Sequence, residues 1–177
     1  NGLLKVTDKL NEWERVANKS EISVYKNQII SHKDMDCKNV LWDKDNNPIV
    51  IDWEASGYVN PLQELIDVAM AWAGVETDNF NLENFKIVVE SYIENGGEIT
   101  DEISSVLKFG YKGKLEWLEY NIKRSLGIES SKEEQELGVN EVIKTFEALK
   151  NYERILPRCE VVLKSIKSSV HRKTILS

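Results

Sequence analysis

Apolar positions recur at helical spacing along most of the chain and fall into strand-like runs only between residues 24 and 53. Leu10, Trp13 and Val16 share one face of a short helix over residues 7–16, with Thr7 as its cap. From residue 24 to 30 the pattern loosens into an extended segment that enters a polar loop. Two apolar runs, residues 39–42 and 48–53, then flank Asp43-Lys44-Asp45-Asn46-Asn47, a turn cluster that predicts a β-hairpin.

Helices follow. Asn60-Pro61 supplies an N-cap with Pro at the first helical position and Gln63 at the capping-box place, and Leu62, Leu65, Ile66, Ala69, Trp72 and Ala73 continue at helical spacing. A helix over residues 82–94 rests on Phe85, Val88, Val89 and Tyr92 and stops at Asn95-Gly96-Gly97. Thr100 caps a third, which Gly110 and Gly113 bend or interrupt. Ser131 with Glu134 is a capping box for a fourth, carrying Leu137, Val142, Ile143, Phe146, Leu149 and Tyr152 inward. Pro157 breaks or kinks that helix, and a last one follows on Val161, Val162 and Ile166. No repeat or linker divides the chain. The expectation is one domain over residues 1–177, of α+β class and predominantly helical, with a short β-hairpin.

Composition narrows the partners. A 177-residue chain that is 41% hydrophobic and 30% charged can bury a real core. Its net charge is −7, and no basic face of the kind a nucleic-acid binder shows is evident. No apolar run approaches the roughly 18–20 residues that cross a bilayer, so neither nucleic acid nor membrane is an expected partner. The acidic balance suits a cationic small substrate, and it suits ordinary solubility better. Cys37 and Cys159 are a distant pair with no metal-binding spacing, and no secretory leader is evident, so a cytoplasmic setting is expected.

The chemistry concentrates in Ser31-His32-Lys33-Asp34-Met35-Asp36-Cys37-Lys38-Asn39, followed by the hairpin and Ile51-Asp52-Trp53-Glu54. The pattern is H-x-D-x-x-x-x-N, strand, turn, strand, Asp. A hydroxyl that attacks a phosphate must lose its proton, and a carboxylate in reach can accept it. Nucleotide phosphates travel with Mg²⁺, which takes oxygen ligands from carboxylates and amides. Asp34 is therefore the candidate base, and Asn39 and Asp52 are the candidate Mg²⁺ ligands. By chance the spacing arises in about a few per thousand chains of this composition.

These residues closely resemble the catalytic core of the aminoglycoside phosphotransferase and choline kinase family of protein-kinase-like small-molecule kinases. The matching residues are His32, Asp34, Asn39 and the run Val50-Ile51-Asp52-Trp53-Glu54, with a looser likeness through Pro61 and Asp67. The resemblance implies a protein-kinase-like C-terminal lobe that transfers phosphate from ATP or GTP to a small-molecule hydroxyl. It gives Asp34 the role of base, Asn39 and Asp52 those of Mg²⁺ and nucleotide-phosphate ligands, and His32 that of shaping the loop. Lys33 departs from the family's usual Gly, and Asp36 stands where many members carry His. About thirty residues precede His32, too few for the family's β-rich nucleotide-covering lobe. Asn1 is accordingly expected to be an internal start, with the nucleotide lobe absent and this chain inactive alone. The alternatives are a non-catalytic kinase-like binding module, or a choline, homoserine or sugar kinase.

Among weaker signals, core packing is the expectation for most of Trp13, Trp42, Trp53, Trp72 and Trp117. Asp67 either orients the catalytic loop or simply caps or faces water. Glu116 and Glu119 are expected on a solvated helix face, with a substrate cleft as the alternative.

Overall fold

The structure is a computed structural model that describes residues 2–77, 79–99 and 102–176. Helix α1 (Gly2–Val24) is more than twice the expected length. Its apolar face does not end at Val16. Ala17 and Val24 are buried beyond it, and Ser20 is buried with its hydroxyl returned to the Val16 carbonyl at 2.9 Å. Val24 is thus the last residue of a helix and not the start of an extended segment. Trp13 anchors α1, stacked on Tyr111 at 5.9 Å and tilted against Phe146.

Two small antiparallel sheets follow. Strand β1 (Ile29–Ser31) pairs with β4 (Gly57–Val59), Ile29 opposite Val59. Strands β2 (Val40–Trp42) and β3 (Pro48–Val50) form the expected hairpin, Val40 opposite Val50. The Asp43 carboxylate accepts the backbone N–H groups of Asp45 and Asn47 across the turn, and Asn46 takes the left-handed conformation there. Strand β4 is too short to carry an alternation signal.

Helix α2 (Pro61–Trp72) begins as expected, the Asn60 side chain accepting from the N–H groups of Leu62 and Gln63. Helix α3 (Leu82–Glu94) has the expected bounds, with Asn81 as its cap and Phe85 and Val89 wholly buried. The Thr100 cap lies outside the described residues. The third helix is two, α4 (Ile103–Phe109) and α5 (Tyr111–Ser125), meeting at Gly110 while Gly113 lies within α5. There the Tyr152 hydroxyl donates to the Leu107 carbonyl at 2.7 Å, supplying a partner for a carbonyl at the end of α4.

Helix α6 (Lys132–Leu176) runs for 45 residues with Pro157 inside it, so the expected division into two helices does not occur. Proline removes one backbone hydrogen bond, at about 3 kcal/mol in a helix interior. Tyr152 and Ile155 before it and Cys159, Leu163 and Ile166 after it are all buried on the same helix, and that packing offsets the loss. Its start is the expected capping box: Ser131 N–H donates to Glu134 at 2.7 Å, and Glu134 N–H donates to the Ser131 hydroxyl at 3.3 Å. Leu137 and Ile143, expected inward, are exposed, because the face of α6 that packs inward runs through Gly138, Val142, Thr145 and Leu149. Core packing also fails for most of the tryptophans. Trp13 is buried and Trp72 half-buried, while Trp42, Trp53 and Trp117 are exposed. No described helix is long and apolar enough to cross a membrane.

Candidate active site

Strand β1 ends at Ser31 and delivers a loop that returns on itself through His32. The imidazole is 1% exposed. Its Nδ1 accepts the Asp34 N–H at 3.3 Å, so Nε2 carries the proton and donates to the Ile51 carbonyl at 2.8 Å. The ring also meets Trp53 edge-on at 4.7 Å. His32 thereby ties the loop to the far end of the hairpin.

Asn39 is buried at the close of a 3-10 turn over Cys37–Asn39 that Asp36 caps. Its Nδ2 donates to the Asp34 carbonyl at 2.7 Å and to Asp34 Oδ2 at 2.9 Å. Asp34 is half-buried, and Lys38 approaches the same oxygen at 3.8 Å from an exposed position where ion pairing is weak. Ile51 donates its N–H to the Asn39 carbonyl at 3.0 Å while accepting from His32. Asp52 is the next residue, so these backbone links put the fourth motif residue beside the first three. Asp52 is exposed and left-handed at φ 63°, and it opens a 3-10 turn over Trp53–Ala55 without using its side chain as a cap. Among the described residues no three His, Cys, Asp or Glu side chains form a metal cluster. One amide and one carboxylate do suit Mg²⁺, which is commonly held by few protein oxygens and completed by phosphates.

Residue Lys33 stands at φ 67°, a conformation in which glycine has no Cβ penalty but a lysine is strained. Here the strained residue is held by an acid absent from the sequence expectations. Glu64 Oε1 accepts the Lys33 N–H at 2.9 Å and the Ser31 hydroxyl at 2.7 Å. The loop-orienting role considered for Asp67 thus belongs to Glu64, in the first turn of α2. Its signal was an acid three residues after a helix-opening Pro, legible only once α2 lies against the loop. Replacing Glu64 by Ala is expected to lower stability by about 2 kcal/mol, the range for hydrogen bonds to a charged group. That corresponds to a Tm decrease of roughly 4–8 °C in a chain of this size. An unchanged thermal unfolding curve would show that the acid does not hold the loop.

A cleft of about 1,310 Å³ opens alongside, lined by Lys33 and Asp34 from the loop, Asn60, Gln63 and Asp67 from α2, and Trp117 from α5. Glu116 and Glu119 are both exposed, on the solvated helix face expected for them; Glu116 also lines the cleft, whereas Glu119 pairs with Lys123 at 2.5 Å and does not. Gln63 does not complete a capping box. Its Nε2 donates to both carboxylate oxygens of Asp67 at 2.8 Å. Asp67 is open to the cleft, yet the surrounding protein desolvates its carboxyl and pushes it up to about 6, against the opposing pull of Gln63 and Lys114.

The sign of that shift gives a test. An unfolded Asp titrates near about 3.9, so between roughly pH 4 and 6 the unfolded chain ionises first and the folded state loses relative stability as pH rises. Asp67→Asn removes this loss. The variant is expected to have a higher Tm than the parent at pH 7.5 and no such advantage at pH 3.5. An equal difference at both pH values would reject the account.

No curated protein and no solved structure matches the chain. Residues 4–87 match the family model described as the phosphotransferase enzyme family. That stretch holds nearly all of α1, the loop, both small sheets, the whole of α2 and the start of α3. Over residues 4–87, a little under half of its length, the chain is similar to the phosphotransferase enzyme family.

Proposed function

We propose that this chain carries the base and metal-binding half of a kinase that phosphorylates a hydroxyl group of a small molecule, with ATP or GTP as donor. The observation that carries the reading is the Asn39–Asp34 hydrogen bond at 2.9 Å. It fixes one carboxylate oxygen and leaves the other free to accept a proton.

In this reading the substrate hydroxyl donates its proton to Asp34 Oδ1 as its oxygen forms a bond to the γ-phosphorus. The bond from the γ-phosphorus to the β,γ-bridging oxygen breaks, and the nucleoside diphosphate leaves with that electron pair. His32 keeps the loop against the hairpin, so the carboxylate keeps its distance from the phosphate side. Asn39 Oδ1 and the Asp52 carboxylate are the oxygens that would hold Mg²⁺, which when bound offsets phosphate charge. The helices form the lobe that carries these groups. The exposed Leu41, Trp42 and Ile49 of the hairpin suit covering by the nucleotide and by a nucleotide-binding lobe, the family arrangement that the resemblance implies.

The test is phosphoryl transfer in the protein carrying such a lobe, with Mg²⁺, ATP or GTP and a panel of polyols, amino sugars and amino alcohols, followed by ³¹P NMR. A phosphate monoester that requires Mg²⁺ is expected. Release of inorganic phosphate alone, or no turnover across the panel, would overturn the reading.

A further inference from the structure

Residues 32–36 lie between the end of β1 and the 3-10 turn at Cys37, so neither a sheet ladder nor a helix holds their backbone. Side chains hold it instead. The Lys33 N–H goes to Glu64, the Asp34 N–H to His32 Nδ1, and the Asp34 carbonyl accepts from Asn39 Nδ2. The next carbonyl, that of Met35, is held from farther along the chain. Trp72 donates its indole Nε1–H to it at 3.1 Å, across 37 positions of sequence. His32 and Asn39 belong to the motif and Glu64 to the first turn of α2, whereas Trp72 has no part in the transfer chemistry itself. It is half-buried. An indole N–H at that exposure can be satisfied by water, so burial alone does not demand the Met35 partner.

Trp72 is the last residue of α2, eight positions beyond Glu64, which is about 12 Å along a helix axis. The two side chains therefore grip the loop from opposite ends of one helix. Glu64 holds residues 31 and 33, before the candidate base, and Trp72 holds residue 35, directly after it. Asn39 cannot replace the second grip. Its amide has two N–H groups to give, and they go to the Asp34 carbonyl and to Asp34 Oδ2. If the chain beyond Asp34 pivots, the carbonyl moves, and the bond that orients the carboxylate is pulled out of line with it.

We propose that Trp72 is a positioning residue, which acts through the Met35 carbonyl to hold the Asp34 carboxylate in place. The inference rests on the reading of Asp34 as the base, and it adds the group that sets where that base stands. Misplacement by about 1 Å can cost about 10²-fold in rate. Loss of this one bond is accordingly expected to lower kcat by about tenfold to a hundredfold, with the KM values for nucleotide and hydroxyl substrate within about twofold of the parent.

Two measurements test it, the first without turnover. In the 177-residue chain, followed by NMR, the Trp72 indole N–H is expected to exchange with deuterium more slowly than that of exposed Trp117. Trp72→Phe removes the donor and keeps a ring, and it is expected to shift both side-chain amide proton signals of Asn39. Indole exchange as fast as at Trp117, or Asn39 signals unmoved in the variant, would overturn the positioning role. A Trp72→Phe chain that does not fold would make the tryptophan structural and overturn it too. The second measurement is kcat and KM in the phosphoryl-transfer assay, beside Tyr152→Phe, which also removes one bond to a carbonyl but far along the chain from the loop. The expected result is a lower kcat at steady KM in Trp72→Phe alone. An equal kcat loss in both variants, or a raised KM at unchanged kcat, would refute the proposal. Shifted Asn39 signals in a protein that transfers no phosphate would leave Trp72 positioning Asp34 and reject the kinase reading alone.

Discussion

Replacing Asp34 by Asn is expected to lower the rate of phosphoryl transfer by about 10²–10⁴-fold, the range for removing a positioned general base, while leaving the fold intact. The two halves of that expectation have separate physical grounds. An amide at this position still offers an oxygen to Asn39 Nδ2, which now bonds Asp34 Oδ2 at 2.9 Å, so the loop keeps its geometry. The amide cannot take up the hydroxyl proton at neutral pH, so the chemistry is lost. Asp34 is half-buried, and its one close ion pair among the described residues is with an exposed lysine at 3.8 Å, so removing the charge changes stability by no more than about 1 kcal/mol. The measurement is kcat by nucleoside diphosphate release beside Tm by calorimetry. Undiminished turnover would sink the role of Asp34. A large Tm decrease would show instead that the carboxylate is structural.

The largest stability effect is expected at Gly110. A Cβ there would lie 2.0 Å from the Tyr152 hydroxyl oxygen and 2.9 Å from Cζ, well inside contact distance. Tyr152 has little freedom to retreat. It is 1% exposed, its ring meets Tyr111 edge-on at 5.0 Å, and its hydroxyl bonds the Leu107 carbonyl. Gly110→Ala therefore forces the α4–α5 junction away from α6. Overpacking of this kind costs about 3 kcal/mol, a Tm decrease of roughly 6–12 °C. The double variant Gly110→Ala with Tyr152→Phe removes the nearer of the two clashing atoms and is expected to recover part of the loss. Thermal unfolding of both variants is the measurement, and a single variant as stable as the parent would refute the close approach.

What could be read from the chain alone was what is encoded locally. The hairpin turn at residues 43–47, the Asn60 cap, the bounds of α3 and the Ser131–Glu134 capping box each depend on side chains within a few residues of the backbone they shape. The features that were missed are set from a distance. Helix α6 passes through Pro157 because other helices bury it on both sides, and α1 continues past Val16 because Ala17 and Val24 are buried against other helices. Three tryptophans are exposed although composition alone favours a core. The same division holds for the site. His32, Asp34, Asn39 and Asp52 form a motif in one short stretch, so their association was legible. Glu64 acts on residues 31 and 33 positions earlier in the chain, and only the packing of α2 against the loop reveals it. The bond from Trp72 to the Met35 carbonyl has no sequence signature at all, since a Trp at helical spacing looks like an ordinary core residue.

The attachment of Glu64 to Ser31 and Lys33 has a mechanical consequence. Glu64 belongs to the same α2 turn as Gln63, and a helix of twelve residues is stiff over that length. The loop bearing Asp34 and the row at Asn60, Gln63 and Asp67 are therefore bolted to one rod. Any tilt of α2 carries both together, so the spacing between them is conserved through thermal motion of the surrounding helices. Moving the loop relative to α2 would first require both Glu64 hydrogen bonds to break.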